Sequence, residues 1–182
     1  MINLCKQKFT VLQQEIMRLL FVKVGNPLNI REIAKSLDVS SPAVAKALIY
    51  IENEGFVTLA QDKESKRWSI ELKSDNHRVV QLKRTDNLRQ IYESGLADFL
   101  ETTFAGGTVI LFGSYSRGED TINSDIDIAI IGRKEKKIDL KDFNNMLERE
   151  IRINFYDSFG KIHKNLRENL FNGIVISGGI RL

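Results

Sequence analysis

The chain has 182 residues, with 27 lysines and arginines against 24 aspartates and glutamates, for a formal net charge of +3. That length accommodates two small cores, and the mild positive excess, spread over both halves, lacks the strong basic stripe of a dedicated nucleic-acid binder. The single cysteine, Cys5, excludes an intramolecular disulfide; no His/Cys cluster has zinc-ligand spacing, no apolar run approaches the roughly 20 residues that span a bilayer, and no signal-like segment opens the chain, so no membrane partner and a cytoplasmic location are expected.

Phe9 to Val24 carries apolar residues at helical spacing (Val11, Leu12, Ile16, Leu19, Leu20, Val22), and Gly25-Asn26-Pro27 stops it. Arg31 to Leu37 and Ala43 to Glu54 read as two shorter helices joined by a tight turn. Ser41 is expected to cap the second with Pro42 at its first position. Gly55 ends that helix, and Phe56–Ala60 and Arg67–Leu72 flank a polar loop, pairing as a hairpin. Together these make a winged helix-turn-helix over residues 1–75. The second helix of such a unit lies in the major groove, so Ser41 and Lys46 on it, with Lys63, Lys66 and Arg67 at the hairpin tip, are candidate contacts to duplex DNA. A winged helix used instead for dimerisation or as a packing platform fits the same pattern.

Ser74 to His77 is a polar break. From Arg78 one long helix is expected to reach Phe104, with a polar interval from Lys83 to Asn87 in its middle. Thr108 to Phe112 is a short apolar run, read as a buried strand that turns at Gly113-Ser114 into a short helix ending near Arg117-Gly118. Asp125 to Ile131 follows as a strand. Period-two alternation sends Asp125 and Asp127 from one face, close enough to converge on a hard cation, while Ser124 precedes them. Arg133 to Lys137 is a basic run in a loop, either solvated or facing a polyanion. A helix over Leu140–Glu150 leads to a strand at Ile151–Tyr156, and Ile174–Ile176 between glycines adds a sheet edge.

Gly113, Ser114, Arg117, Gly118, Ser124, Asp125 and Asp127, in this order and spacing, resemble the signature of the DNA polymerase beta-like nucleotidyltransferase superfamily, in particular its minimal members. The resemblance extends from about Asn87 to the C-terminus. It implies an α+β chain in which residues 76–182 form a connector helix and a small mixed-sheet α/β domain. It further implies catalytic and Mg²⁺-binding roles for Asp125 and Asp127, and binding of a nucleoside triphosphate at Gly113 and Ser114. Ser124 would orient the first metal ligand, and Arg117 would either meet a phosphate oxygen or stand as an ordinary helix-surface cation. Members hold two magnesium ions with three carboxylates, and the position matching the third is expected at Asn154, a neutral amide that cannot act as a base. Asp157 is the nearby alternative acid.

Two functions follow from that resemblance and the helix-turn-helix. One is Mg²⁺-dependent transfer of a nucleoside monophosphate from a triphosphate to an RNA or protein acceptor. The other is a DNA-binding regulator or antitoxin-like protein whose transferase fold binds nucleotide with impaired turnover.

Overall fold

The computed structural model describes residues 9–61 and 68–180 and divides the chain into two compact units, Met1–Val79 and Val80–Leu182. Lys63, Lys66 and Arg67, expected at the hairpin tip, lie outside the described residues, as does Cys5.

The first unit runs α1 (Val11–Val22), α2 (Ile30–Ser36), α3 (Ser41–Asn53), β1 (Val57–Gln61) and β2 (Trp68–Leu72). Local chemistry explains the helix starts. Thr10 and Gln13 close a reciprocal capping box at α1, and Asn29 and Glu32 close another at α2. The cap of α3 is Ser40 rather than Ser41: the Ser40 hydroxyl accepts from the Ala43 amide, and Ser41 and Pro42 take the first two helical positions. Proline tolerates the second position as well as the first because neither amide has an intrahelical partner. β1 and β2 pair antiparallel from Val57↔Leu72 to Gln61↔Trp68, and Leu28 exchanges both backbone hydrogen bonds with Ile70 at 3.1 and 2.7 Å. Ile16, Leu20, Ile33, Val44, Leu48, Ile51, Phe56 and Ile70 are buried together, so the three helices and the hairpin share one core. This is a winged helix-turn-helix.

The second unit contains the sheet. α4 (His77–Glu93) starts in the first unit and continues into it, and α5 (Leu96–Thr103) follows. The single long helix expected to Phe104 is therefore two, because Gly95 adopts φ +77, a left-handed conformation that interrupts a right-handed helix running past it. Then come β3 (Thr108–Phe112), α6 (Gly113–Arg117), β4 (Ile126–Ile131), α7 (Lys141–Leu147), β5 (Ile151–Tyr156), α8 (Lys164–Phe171) and β6 (Ile174–Ser177). The strand order is β5-β4-β3-β6, with β4 and β5 parallel and the other pairs antiparallel. Val109, Leu111, Ile126, Ile128 and Ile130 bury one face with Leu96, Leu100 and Leu147; Ile110, Phe112, Ala129 and Ile131 bury the other with Phe159, Ile162 and Leu170. Every residue of β3 is buried, as a central strand covered on both faces requires.

Candidate active site

The site forms where β3 ends and β4 begins. Phe112 pairs with Asp127, so Gly113 sits one residue past the end of the ladder, directly beside that carboxylate. A Cβ on Gly113 would lie 2.5 Å from Asp127 Oδ2, and Gly113 has φ +76. Glycine is thus required twice, by backbone conformation and by space. In α6 the Ser116 hydroxyl donates to the Gly113 carbonyl at 2.9 Å, holding the turn closed. Gly113→Ala is expected to cost about 1–3 kcal/mol from the left-handed backbone alone and to displace Asp127; thermal melting and nucleotide affinity check the two effects separately.

The two carboxylates differ in their surroundings. Burial pushes the Asp127 carboxyl above its ordinary range, the Asp125 charge adds to the shift, and the Arg152 guanidinium opposes both. Asp125, immediately before β4, forms an ion pair of 2.9 Å with Arg152 Nη1. Tyr156, further along β5, is also pushed up, by burial and then by the Asp127 charge.

Ser124 is bound into the preceding turn, its hydroxyl accepting from the Thr121 amide at 2.9 Å. Arg117 is partly exposed and donates to Glu119 at 2.7 Å. Ser114 is half-buried in the first turn of α6. Ser41 and Lys46 belong to the other unit, half-buried and exposed respectively on α3.

The register of β5 sets a charged residue between the carboxylate pair and Asn154. Asp127 is paired with Arg152, and Asn154 with Ala129, one pleat further along the sheet. Asn154 and Arg152 share a face by period two; Arg152 stands across from Asp127, and Asn154 is the next residue of that face along the strand. Asp157, the alternative acid, lies beyond β5, exposed, paired with Lys161 at 2.8 Å, and that hydrogen bond holds its carboxyl below the usual range. Arg152 was legible only as one of two polar residues on the strand's alternating face.

A second group missed by sequence reasoning supports the loop between α6 and β4. Asp120 is buried between two cations, Lys83 of α4 and Arg149 just before β5; the Lys83 ammonium donates to its carboxylate and, at 2.5 Å, to its backbone carbonyl. Asn87 donates to the Asp120 carboxylate at 2.7 Å and to the Tyr115 carbonyl at 2.9 Å. The polar interval from Lys83 to Asn87 is thus in part buried structure. Gly118 fits under α4 because it has no Cβ, which would approach the Val80 carbonyl to 2.5 Å. A pocket of about 380 Å³ opens beside Asp125, lined in part by Asn123, Ser124, Asn144 and Asn145.

Two hard carboxylate oxygen donors beside a turn with no side chain fit one divalent cation held partly by the protein and partly by substrate phosphates. They do not fit a cage for two, since no group of three or more His, Cys, Asp or Glu side chains converges among the described residues and a guanidinium stands beside the pair.

Residues 93–176 match the family model of the nucleotidyltransferase domain. This segment is a nucleotidyltransferase domain. It holds the Gly113 turn, both aspartates and Arg152. Solved structures similar to the chain are winged-helix regulators that cover its N-terminal part. A mutant of Lactococcus lactis ZitR is 19% identical over 57% of this chain and 69% of that chain, with a TM-score of 0.42. Streptococcus pyogenes adhesin competence repressor AdcR is 20% identical over 57% and 72%, with a TM-score of 0.43. The S. aureus MepR–DNA complex is 21% identical over 52% and 81%, with a TM-score of 0.38. No curated protein matches the sequence. The chain therefore joins a winged helix-turn-helix to a nucleotidyltransferase domain, and no helix among the described residues is long and apolar enough to cross a membrane.

Proposed function

We propose that the chain is a nucleotide-responsive, DNA-binding regulator whose nucleotidyltransferase domain binds a nucleoside triphosphate with Mg²⁺ and turns it over slowly or not at all. The observation that carries this reading is the pairing of Asp127 with Arg152 across β4 and β5. Nucleotidyl transfer forms a bond from an acceptor hydroxyl oxygen to the α-phosphorus, breaks the bond to the β-phosphate and releases pyrophosphate with the electron pair. The hydroxyl proton needs an acceptor, and a guanidinium, always charged, cannot take it. Asp125 and Asp127 would hold the cation, with Ser124 bracing the turn before them, and Gly113 and Ser114 would lie against the triphosphate. When bound, the cation offsets phosphate charge and stabilises the leaving oxygen.

A second reading, active Mg²⁺-dependent transfer to an RNA or protein acceptor, is favoured by the close approach of Gly113 to Asp127, which leaves the binding half of the site intact. One experiment separates them. The purified chain is incubated with Mg²⁺ and each α-labelled nucleoside triphosphate, and label is sought on the chain, on co-purified protein and on total RNA while binding is followed by filter retention. Retention with little transferred label is expected; rapid labelling would establish the second reading.

For the winged helix, binding of duplex DNA through α3 and the hairpin rests on Lys46, exposed on α3, with Ser41 at its start, and on Lys63, Lys66 and Arg67, which lie between β1 and β2 in the sequence. With so few cations the salt dependence is expected to be shallow, about 0.9 log units per log salt for each phosphate contacted. Neutralising the wing trio is expected to weaken binding equally across sequences and flatten that slope, as a salt titration by fluorescence anisotropy would measure. Binding indifferent to salt and to those changes would assign the unit to dimerisation or packing.

A further inference from the structure

We infer that Arg152 is a built-in cation of the nucleotide site: it occupies the place of a second metal ion, limits the domain to one divalent cation, and contacts the triphosphate directly.

Three observations carry this. The β4–β5 register sets Arg152 directly across from Asp127, and its guanidinium reaches Asp125 at 2.9 Å, so one side chain borders both carboxylates. Its side chain remains 59% exposed, leaving donors for an incoming oxyanion. Arginine presents five N–H donors in a planar fork, and engaging Asp125 uses only part of it. Glu150, at 3.8 Å from Nη2, steadies the other side of the guanidinium without completing a metal cage.

Charge decides how many ions the site takes. Asp125, Asp127 and Glu150 contribute three negative charges and Arg152 returns one positive, so the protein presents two net negative charges, which one divalent cation neutralises. One divalent cation held by Asp125 and Asp127 would satisfy that arrangement. A second would lie beside the guanidinium, repelled, with one of its two carboxylates already engaged. The same guanidinium can offset phosphate charge without metal, through charge-assisted hydrogen bonds.

This inference rests on the triphosphate-binding reading above, and the experiment keeps the two apart. The folded full chain is titrated with Mn²⁺ in the presence of an α,β-methylene nucleoside triphosphate, with bound ions counted by electron paramagnetic resonance, and nucleotide affinity is measured in parallel in EDTA. One Mn²⁺ per wild-type chain is expected, and two in Arg152→Asp, which supplies a third carboxylate and removes the repulsion. Arg152→Gln is expected to stay at one ion and to lose about tenfold or more of its affinity in EDTA, as the removal of charge-assisted hydrogen bonds predicts. Two ions in the wild type, or an Arg152→Gln variant with undiminished affinity in EDTA, would overturn the role of Arg152 while leaving nucleotide binding standing. Absence of any nucleotide binding by the wild type would overturn both. Circular dichroism of each variant guards against misfolding, and if Arg152→Asp fails to fold, the Arg152→Gln measurement in EDTA decides alone.

Discussion

Asp120→Ala is expected to be the most destabilising single change in the nucleotidyltransferase domain, at about 3–5 kcal/mol, the usual result of removing one partner from a buried ion pair. The Asp120 carboxylate is 1% exposed and faces Lys83 and Arg149, both 2% exposed at the side chain. Without it two cations are left in the interior. Burial already pulls the Lys83 ammonium below its ordinary range, against the opposing pull of Asp120, so losing the carboxylate leaves desolvation with less to oppose it. Domains of this size hold about 5–15 kcal/mol in all, so the loss is a large share of the total. Asp120→Asn keeps the shape and is expected to fall only part of the way short of Ala, since the missing charge is the main defect. Lys83→Met is expected to cost far less, because Arg149 still balances Asp120 and an apolar chain of similar length fills the space. Urea denaturation of the full chain measures the series; a loss below about 1 kcal/mol for Asp120→Ala would place the cluster among energetically idle ion pairs. The functional consequence follows from position: Asp120 lies in the connection between α6 and β4, so loosening it frees the Gly113 turn from the aspartates.

The second large effect is at Asp127. Asp127→Asn is expected to reduce metal-dependent triphosphate binding by more than about 100-fold, since even outer-shell partners of metal ligands cost 10–100-fold when removed. The same change is expected to raise the melting temperature of the metal-free protein at neutral pH. The sign comes from linkage: burial, then Asp125, lift the folded-state value above the unfolded one, against the pull of Arg152. The folded chain therefore holds this proton longer, and the stability the group contributes is present below the unfolded value and is lost as pH rises through the folded value. Ionised Asp127 thus burdens the apo fold at pH 7, and the amide relieves it. The difference should narrow below the ordinary value of 3.8, where the wild-type carboxyl is protonated in both states. Melting curves from acid to neutral pH, paired with isothermal titration of the Mg²⁺ nucleotide, test both halves; an unchanged metal-dependent affinity would remove Asp127 from the site.

Much of this site is local in origin. Gly113 turns at φ +76 because nothing else does so cheaply, and Asp125 and Asp127 leave one face because strand side chains alternate with a period of two. Helical spacing and caps likewise mark α1 to α3, although which of two adjacent serines caps α3 depends on a single hydrogen bond, from the Ala43 amide to Ser40.

Alternation assigns a face but no partner. Arg152 and Asn154 are equivalent to any reading of period two, and only the parallel register of β5 on β4 places the arginine beside Asp127 and the asparagine beside Ala129. That register follows from the crossover through α7 and from Ile151 and Ile153 packing with Ile126 and Ile128, none of which is written into the six residues of the strand. Burial of charge escapes local reading for the same reason. Lys83 and Asn87 look like a polar interruption of a helix, because the carboxylate that receives them lies 37 and 33 residues away. The Gly113 turn, the two-residue spacing of the aspartates and the separate helices α1 to α3 are legible in the chain because each follows from contacts within a few residues. Which charge faces Asp127 and what clamps the loop before it are not legible there, because both depend on segments that meet only when the sheet closes.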